Sequence, residues 1–175
     1  ASQTKAKRWS SQYRERLLHE DVSALENLKD LGALEHLMLR LPDFVGSPLS
    51  INALSEDLEK SHKTVALWLE ILERIYAIFR VSPFGAPKLR AVKKEQKHYH
   101  FDWTLVPEKS FRFENLVAAH LLKWIHFEQD TKGRPVELRY FRSTDQKEVD
   151  FVITENQKPS VMIEAKQSDG EVSRS

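Results

Sequence analysis

The sequence predicts an α+β fold, mostly helical over its first half and built over its second from one long helix and a three-strand meander. Three observations carry this. Apolar residues recur at helical spacing from Tyr13 to Leu41 and again from Val65 to Tyr76. Phe111 to Phe127 presents a broad apolar helical surface through Leu116, Val117, Ala119, His120, Leu121, Trp124 and Phe127. Beyond Gly133-Arg134-Pro135, residues 136–142, 148–153 and 161–166 read as strands separated by the polar turns 143–146 and 155–159. With 175 residues, 41% hydrophobic and 10% aromatic, the chain can bury a core as one domain or two small ones.

Taken in order, Tyr13, Leu17, Leu18, Val22, Leu25 and Leu28 form a helical stripe that Leu31, Leu34, Leu37, Met38 and Leu41 continue, with breaks at Gly32 and Pro42. Residues 1–45 are thus a helical lead-in, a packing element without visible chemistry. Residues 49–58 predict a short helix capped by Ser50. A polar turn at 61–64 precedes a longer helix, Val65 to Tyr76, with Val65, Trp68, Leu69, Leu72, Ile75 and Tyr76 on one face. Residues 77–81 are β-like and end in the turn-rich Ser82-Pro83-Phe84-Gly85-Ala86-Pro87. Helix, turn, helix, hairpin is the order of a winged helix-turn-helix, assigned to residues 46–96.

The second of those helices would be the reading element, but Glu70 and Glu73 on it repel phosphates. Backbone contact by the wing, or use in protein–protein contact, is therefore favoured over base readout. Between Arg80 and Lys97 lie six Lys/Arg against Glu95 alone. Lys88, Arg90, Lys93 and Lys94 are the candidate nucleic-acid contacts, because closely spaced cations release counterions from a phosphate backbone. A solvated loop is the plainer alternative.

The second half, 97–175, opens with the alternating strand 97–102. His98 and His100 share one face of it. No third metal ligand accompanies them, so an ordinary exposed pair is expected. Glu114 falls in the first turns of the next helix, where a carboxylate suits the helix N-terminus. Asp150 interrupts an apolar run, and Glu164 and Lys166 lie two apart on the last strand. In-register pairing would set Asp150 beside Glu164. Carboxylates gathered on one sheet face need a counter-charge. One solution is magnesium held by Asp150, Glu164 and Glu114, with the Ala165 carbonyl as a further ligand and Lys166 acting on water or phosphate. The other is a ligand-free ion-pair cluster.

Several classes are excluded or disfavoured. The chain has no cysteine, which excludes disulfides, Cys-ligated zinc, iron–sulfur clusters and cysteine nucleophiles. It holds no GxxxxGK[ST] or GxGxxG loop. No apolar run approaches the ~18 residues of a membrane span, and the polar start lacks a signal-peptide core. A cytoplasmic protein with no membrane partner is expected.

The order helix-Glu114, strand-Asp150, strand-Glu164-Ala165-Lys166 resembles the PD-(D/E)XK nuclease superfamily, of restriction-endonuclease and Holliday-junction-resolvase type. A wider set of segments runs in order from Leu41-Pro42, Gly46 and Leu49-Ser50 through Lys97–Asp102 and Phe113-Glu114-Asn115 to Glu148–Val152 and Ile163–Lys166. This set is similar to the uncharacterised C-terminal domain of a prokaryotic AAA+-type ATPase family. The resemblance covers roughly Tyr13 to Lys166 and implies a winged helix followed by a small restriction-endonuclease-like α/β part. It implies catalytic Glu114, Asp150, Glu164 and Lys166, a magnesium-dependent phosphodiesterase site, and an upstream ATPase module that alone would bind ATP. The alternative is a non-catalytic nucleic-acid or protein interaction module on the same scaffold. Nuclease-like cores add a helix and strand after the ExK strand, whereas nine residues follow Lys166, so an excised fragment with an incomplete sheet is expected.

Overall fold

The computed structural model describes residues 3–17, 30–85, 96–143, 145 and 147–167. Helix α1 spans Gln3–Arg16 and α2 spans Leu31–Arg40. Asp30 caps α2 by accepting from the Ala33 N–H, and Leu34, Leu37 and Met38 form its buried stripe. Pro42 ends it in a 3₁₀ turn, Leu41–Phe44. The two-residue strand β1 (Pro48–Leu49) leads into α3 (Ile51–Asp57), capped by Ser50 as the sequence indicates. A second serine cap, Ser61, starts α4 (His62–Arg74), which buries Val65, Trp68, Leu69, Ile71 and Leu72. These residues join those of α2 and α3 in one helical core. Each large apolar side chain so buried is worth about 1.5–3 kcal/mol.

Strands β2 (Ile78–Pro83) and β3 (Gln96–His100) pair antiparallel. A 3₁₀ turn, Trp103–Leu105, is capped by Asp102. Helix α5 then runs from Lys109 to Lys132, started by the Glu108 cap and stopped by Gly133 at φ 63°. It is longer at both ends than the apolar surface alone suggested. The meander follows as β4 (Val136–Arg142), β5 (Glu148–Glu155) and β6 (Lys158–Ile163).

All six strands form one sheet in the order β1-β3-β2-β4-β5-β6. The β2–β3 pair joins the meander through a short parallel pairing, Ser82↔Arg139 and Pro83↔Tyr140. Helix α5 covers one face over Phe79, Val81, Tyr99, Tyr140 and Phe151. No helix among the described residues is long and apolar enough to cross a membrane.

Two expectations are corrected here. The third meander strand ends at Ile163, so Glu164 and Lys166 lie beyond it. His98 and His100 are buried, at 0% and 3% exposure, because β3 is an interior strand with both faces covered.

Candidate functional site

The chemistry-bearing residues gather where β3, β5 and α5 meet. Alternation along β3 turns Lys97 and Tyr99 toward α5. Asn115 of α5 locks the helix to that strand: its side chain accepts from the His100 N–H at 2.8 Å and donates to the His100 carbonyl at 2.7 Å. The neighbouring Glu114, 7% exposed, is thereby aimed at β3. A bulge in the β4–β5 ladder sets Asp150 and Phe151 opposite the single residue Tyr140. Asp150 lies on the same side as Glu148, two residues before it, as strand alternation places it.

Lys97 is fully buried, and its ammonium group is the centre of the cluster. Nζ lies 2.5 Å from Glu148 Oε1, 3.2 Å from Glu114 Oε1 and 3.7 Å from Asp150 Oδ1. It also sits 5.8 Å from the centre of the Tyr140 ring. The Tyr99 hydroxyl donates to Glu114 Oε1 at 2.7 Å, and the Ala165 N–H donates to Asp150 Oδ2 at 2.9 Å. Arg142 Nε approaches Glu148 Oε2 at 3.8 Å. From the first half of the chain, Gly46 (φ +90°) packs so closely on Phe111 and Glu114 that a Cβ there would enter the Phe111 ring.

Burial alone would depress the pKa of Lys97, but Glu114, Glu148 and Asp150 more than offset it, and the pKa is raised. Burial pushes Glu114 up, with Lys97 and Tyr99 opposing. Burial, then the adjacent Glu114, holds the Tyr99 hydroxyl well above its usual range. The cluster therefore holds a charged lysine among carboxylates and a neutral tyrosine.

Of the residues singled out by sequence, Glu114 and Asp150 meet through Lys97. Glu164 and Lys166 are exposed and pair with one another at 3.1 Å. The Ala165 N–H is the bond that ties their segment to Asp150; the peptide donor, not the carbonyl, faces the carboxylate. Lys88, Arg90, Lys93 and Lys94 lie outside the described residues. Two other members of the basic strip serve the interior: Lys97 as above, and Arg80, paired with Glu73 at 2.5 Å. Sequence reasoning missed Lys97, Tyr99 and Glu148. Their signal was the two-residue spacing of Lys97 with Tyr99 and of Glu148 with Asp150.

As arranged, the donors do not fit magnesium. Among the described residues no group of three or more His, Asp or Glu is disposed to hold a metal ion. One oxygen each of Glu114, Glu148 and Asp150 faces an ammonium group. A magnesium ion needs oxygen ligands at about 2.0–2.1 Å in octahedral array.

Residues 1–110 match the model of a family described as a domain of unknown function, DUF8612. That is more than half of the chain. The chain belongs to the DUF8612 family. Residues 109–175 of this DUF8612 chain match a second domain of unknown function, DUF4143. The two matches meet in the first turn of α5, so the Lys97–Glu114 and Lys97–Asp150 pairs link the DUF8612 and DUF4143 regions. No curated protein and no solved structure matches the chain.

Proposed function

We propose that this chain is a nucleic-acid-binding module on a nuclease-like scaffold, the non-ATPase portion of a prokaryotic ATPase-family protein. The observation that carries the reading is the order of helix, turn, helix and paired strands. Two serine-capped helices, α3 and α4, precede the β2–β3 hairpin, and the sequence joining its strands is rich in lysine and arginine. Pairing of Glu73 with Arg80 removes one of the two repulsive charges on α4.

The contact is to the phosphate backbone and tolerant of sequence. Titrating labelled duplex and single-stranded DNA with the chain, followed by anisotropy at several salt concentrations, tests it. Binding should weaken steeply with salt, with a slope of about 0.9 per duplex phosphate contacted. Absence of binding at low salt would refute the reading.

A second reading, magnesium-dependent phosphodiester cleavage by Glu114, Asp150, Glu164 and Lys166, is favoured by one observation. The Ala165–Asp150 bond keeps the exposed Glu164–Lys166 pair next to the carboxylate cluster. It requires Lys97 to yield its place. Cleavage of labelled single-stranded, duplex or branched DNA that needs magnesium and is lost in Asp150→Asn would establish it.

A further inference from the structure

We propose that Lys97 is the resident cation of the nuclease-like half: its ammonium group occupies the place among Glu114, Glu148 and Asp150 that a divalent ion would otherwise take. The inference rests on reading the second half as a nuclease-like scaffold and concerns how its carboxylate cluster is neutralised.

An ammonium group has three N–H donors. Three carboxylates from two elements surround this one, at 2.5, 3.2 and 3.7 Å. Further donors reach the same carboxylates. Tyr99 donates to Glu114, the Ala165 N–H donates to Asp150, and Arg142 stands near Glu148. Lys97 is the counter-charge these three carboxylates share, and a buried ionic group holds its place only where such partners surround it. Lys97 cannot simply swing out to admit another cation. Its side chain has no exposed surface and its strand is interior to the sheet, while Glu148 and Asp150 keep part of their own surface in solvent. Two cations side by side within this shell would repel strongly at low dielectric. Lys97 therefore holds this position against divalent ions, and removing it leaves the three carboxylates without their shared cation.

The test uses the full chain, wild type and Lys97→Met, titrated with Mg²⁺, Ca²⁺ and Mn²⁺. Thermal unfolding is read for both, and Mn²⁺ broadening of the Tyr99 and Ala165 amide resonances for the wild type. The wild type should show no saturable change in Tm and no selective broadening at those amides. Lys97→Met should melt lower in EDTA and recover several degrees of Tm with Ca²⁺ or Mn²⁺, reversibly on chelation. Selective broadening in the wild type would overturn the proposal, as would a folded Lys97→Met that ignores all three ions. If Lys97→Met fails to fold with or without ions, the wild-type Mn²⁺ measurement decides alone. DNA binding is read separately. Its loss would sink the functional reading and leave this one intact, while metal uptake alongside DNA binding would do the reverse.

Discussion

Acidification should destabilise this chain through His98, at the opposite face of β3 from Lys97. The ring is 0% exposed, and Nε2 donates to the Leu41 carbonyl at 2.8 Å. Nδ1 has no hydrogen-bond partner among the described residues. Burial lowers the pKa from 6.5 to about 4; the Leu41 carbonyl pulls it up and nearby Arg80 pushes it down. The His100 ring, 5.6 Å away, is the other titratable group facing it among the described residues. Because the folded value lies below the unfolded one, the unfolded chain binds the extra proton. The stability is fully present above the unfolded pKa and is lost as pH falls from about 6.5 toward about 4. Between about pH 7 and about pH 5 the loss through this group is about 2 kcal/mol, at ~1.4 kcal/mol per pKa unit. Urea unfolding at both pH values, on wild type and His98→Gln, isolates it, since glutamine can still donate to Leu41 but takes up no proton. The variant should lose about 2 kcal/mol less than wild type over that interval. Equal losses in both chains would refute the reasoning.

Three further outcomes are expected. Asn115→Ala strands the buried N–H and carbonyl of His100 and should cost about 2–4 kcal/mol in denaturant unfolding; a loss below about 1 kcal/mol would mean that water replaces the amide. Gly46→Ala combines φ +90° with a Cβ driven into the Phe111 ring and should cost about 1–3 kcal/mol, whereas Gly32→Ala, in α2 with nothing within 4 Å of the added methyl, should gain up to about 1 kcal/mol. Reversing Lys88, Arg90, Lys93 and Lys94 to glutamate should flatten the salt dependence of DNA binding by up to about four units of slope; an unchanged slope would make the strip a solvated loop.

The fold was legible where the signals are local. Ser50 and the apolar spacing of Val65, Trp68, Leu69 and Leu72 defined the paired helices, and the polar turns divided the meander correctly. Non-local pairing was not legible. Alternation shows which residues of 97–102 share a face, but not that this strand lies inside the sheet. His98 and His100 therefore looked exposed, and Lys97 looked like one more cation in a basic strip. The parallel pairing of β2 with β4 spans a hairpin and a long helix, and no residue in either strand advertises it. The bulge opposite Tyr140 likewise has no sequence mark such as a glycine. The third strand was placed three residues too late, at 161–166 instead of Lys158–Ile163, because Glu164-Ala165-Lys166 continues the alternation of Val161-Met162-Ile163, while the ladder stops at Ile163. Glu114 and Asp150 were found because carboxylates in apolar surroundings stand out. Their lysine escaped because it lies 17 residues before Glu114, on another element.

The central claim is that this chain binds nucleic acid without cutting it. The most direct measurement follows one labelled DNA through anisotropy and then a denaturing gel, with magnesium and with EDTA at matched ionic strength. The expected result is the same salt-sensitive binding in both conditions and intact DNA in both. Magnesium-dependent fragments that disappear in Asp150→Asn would contradict it.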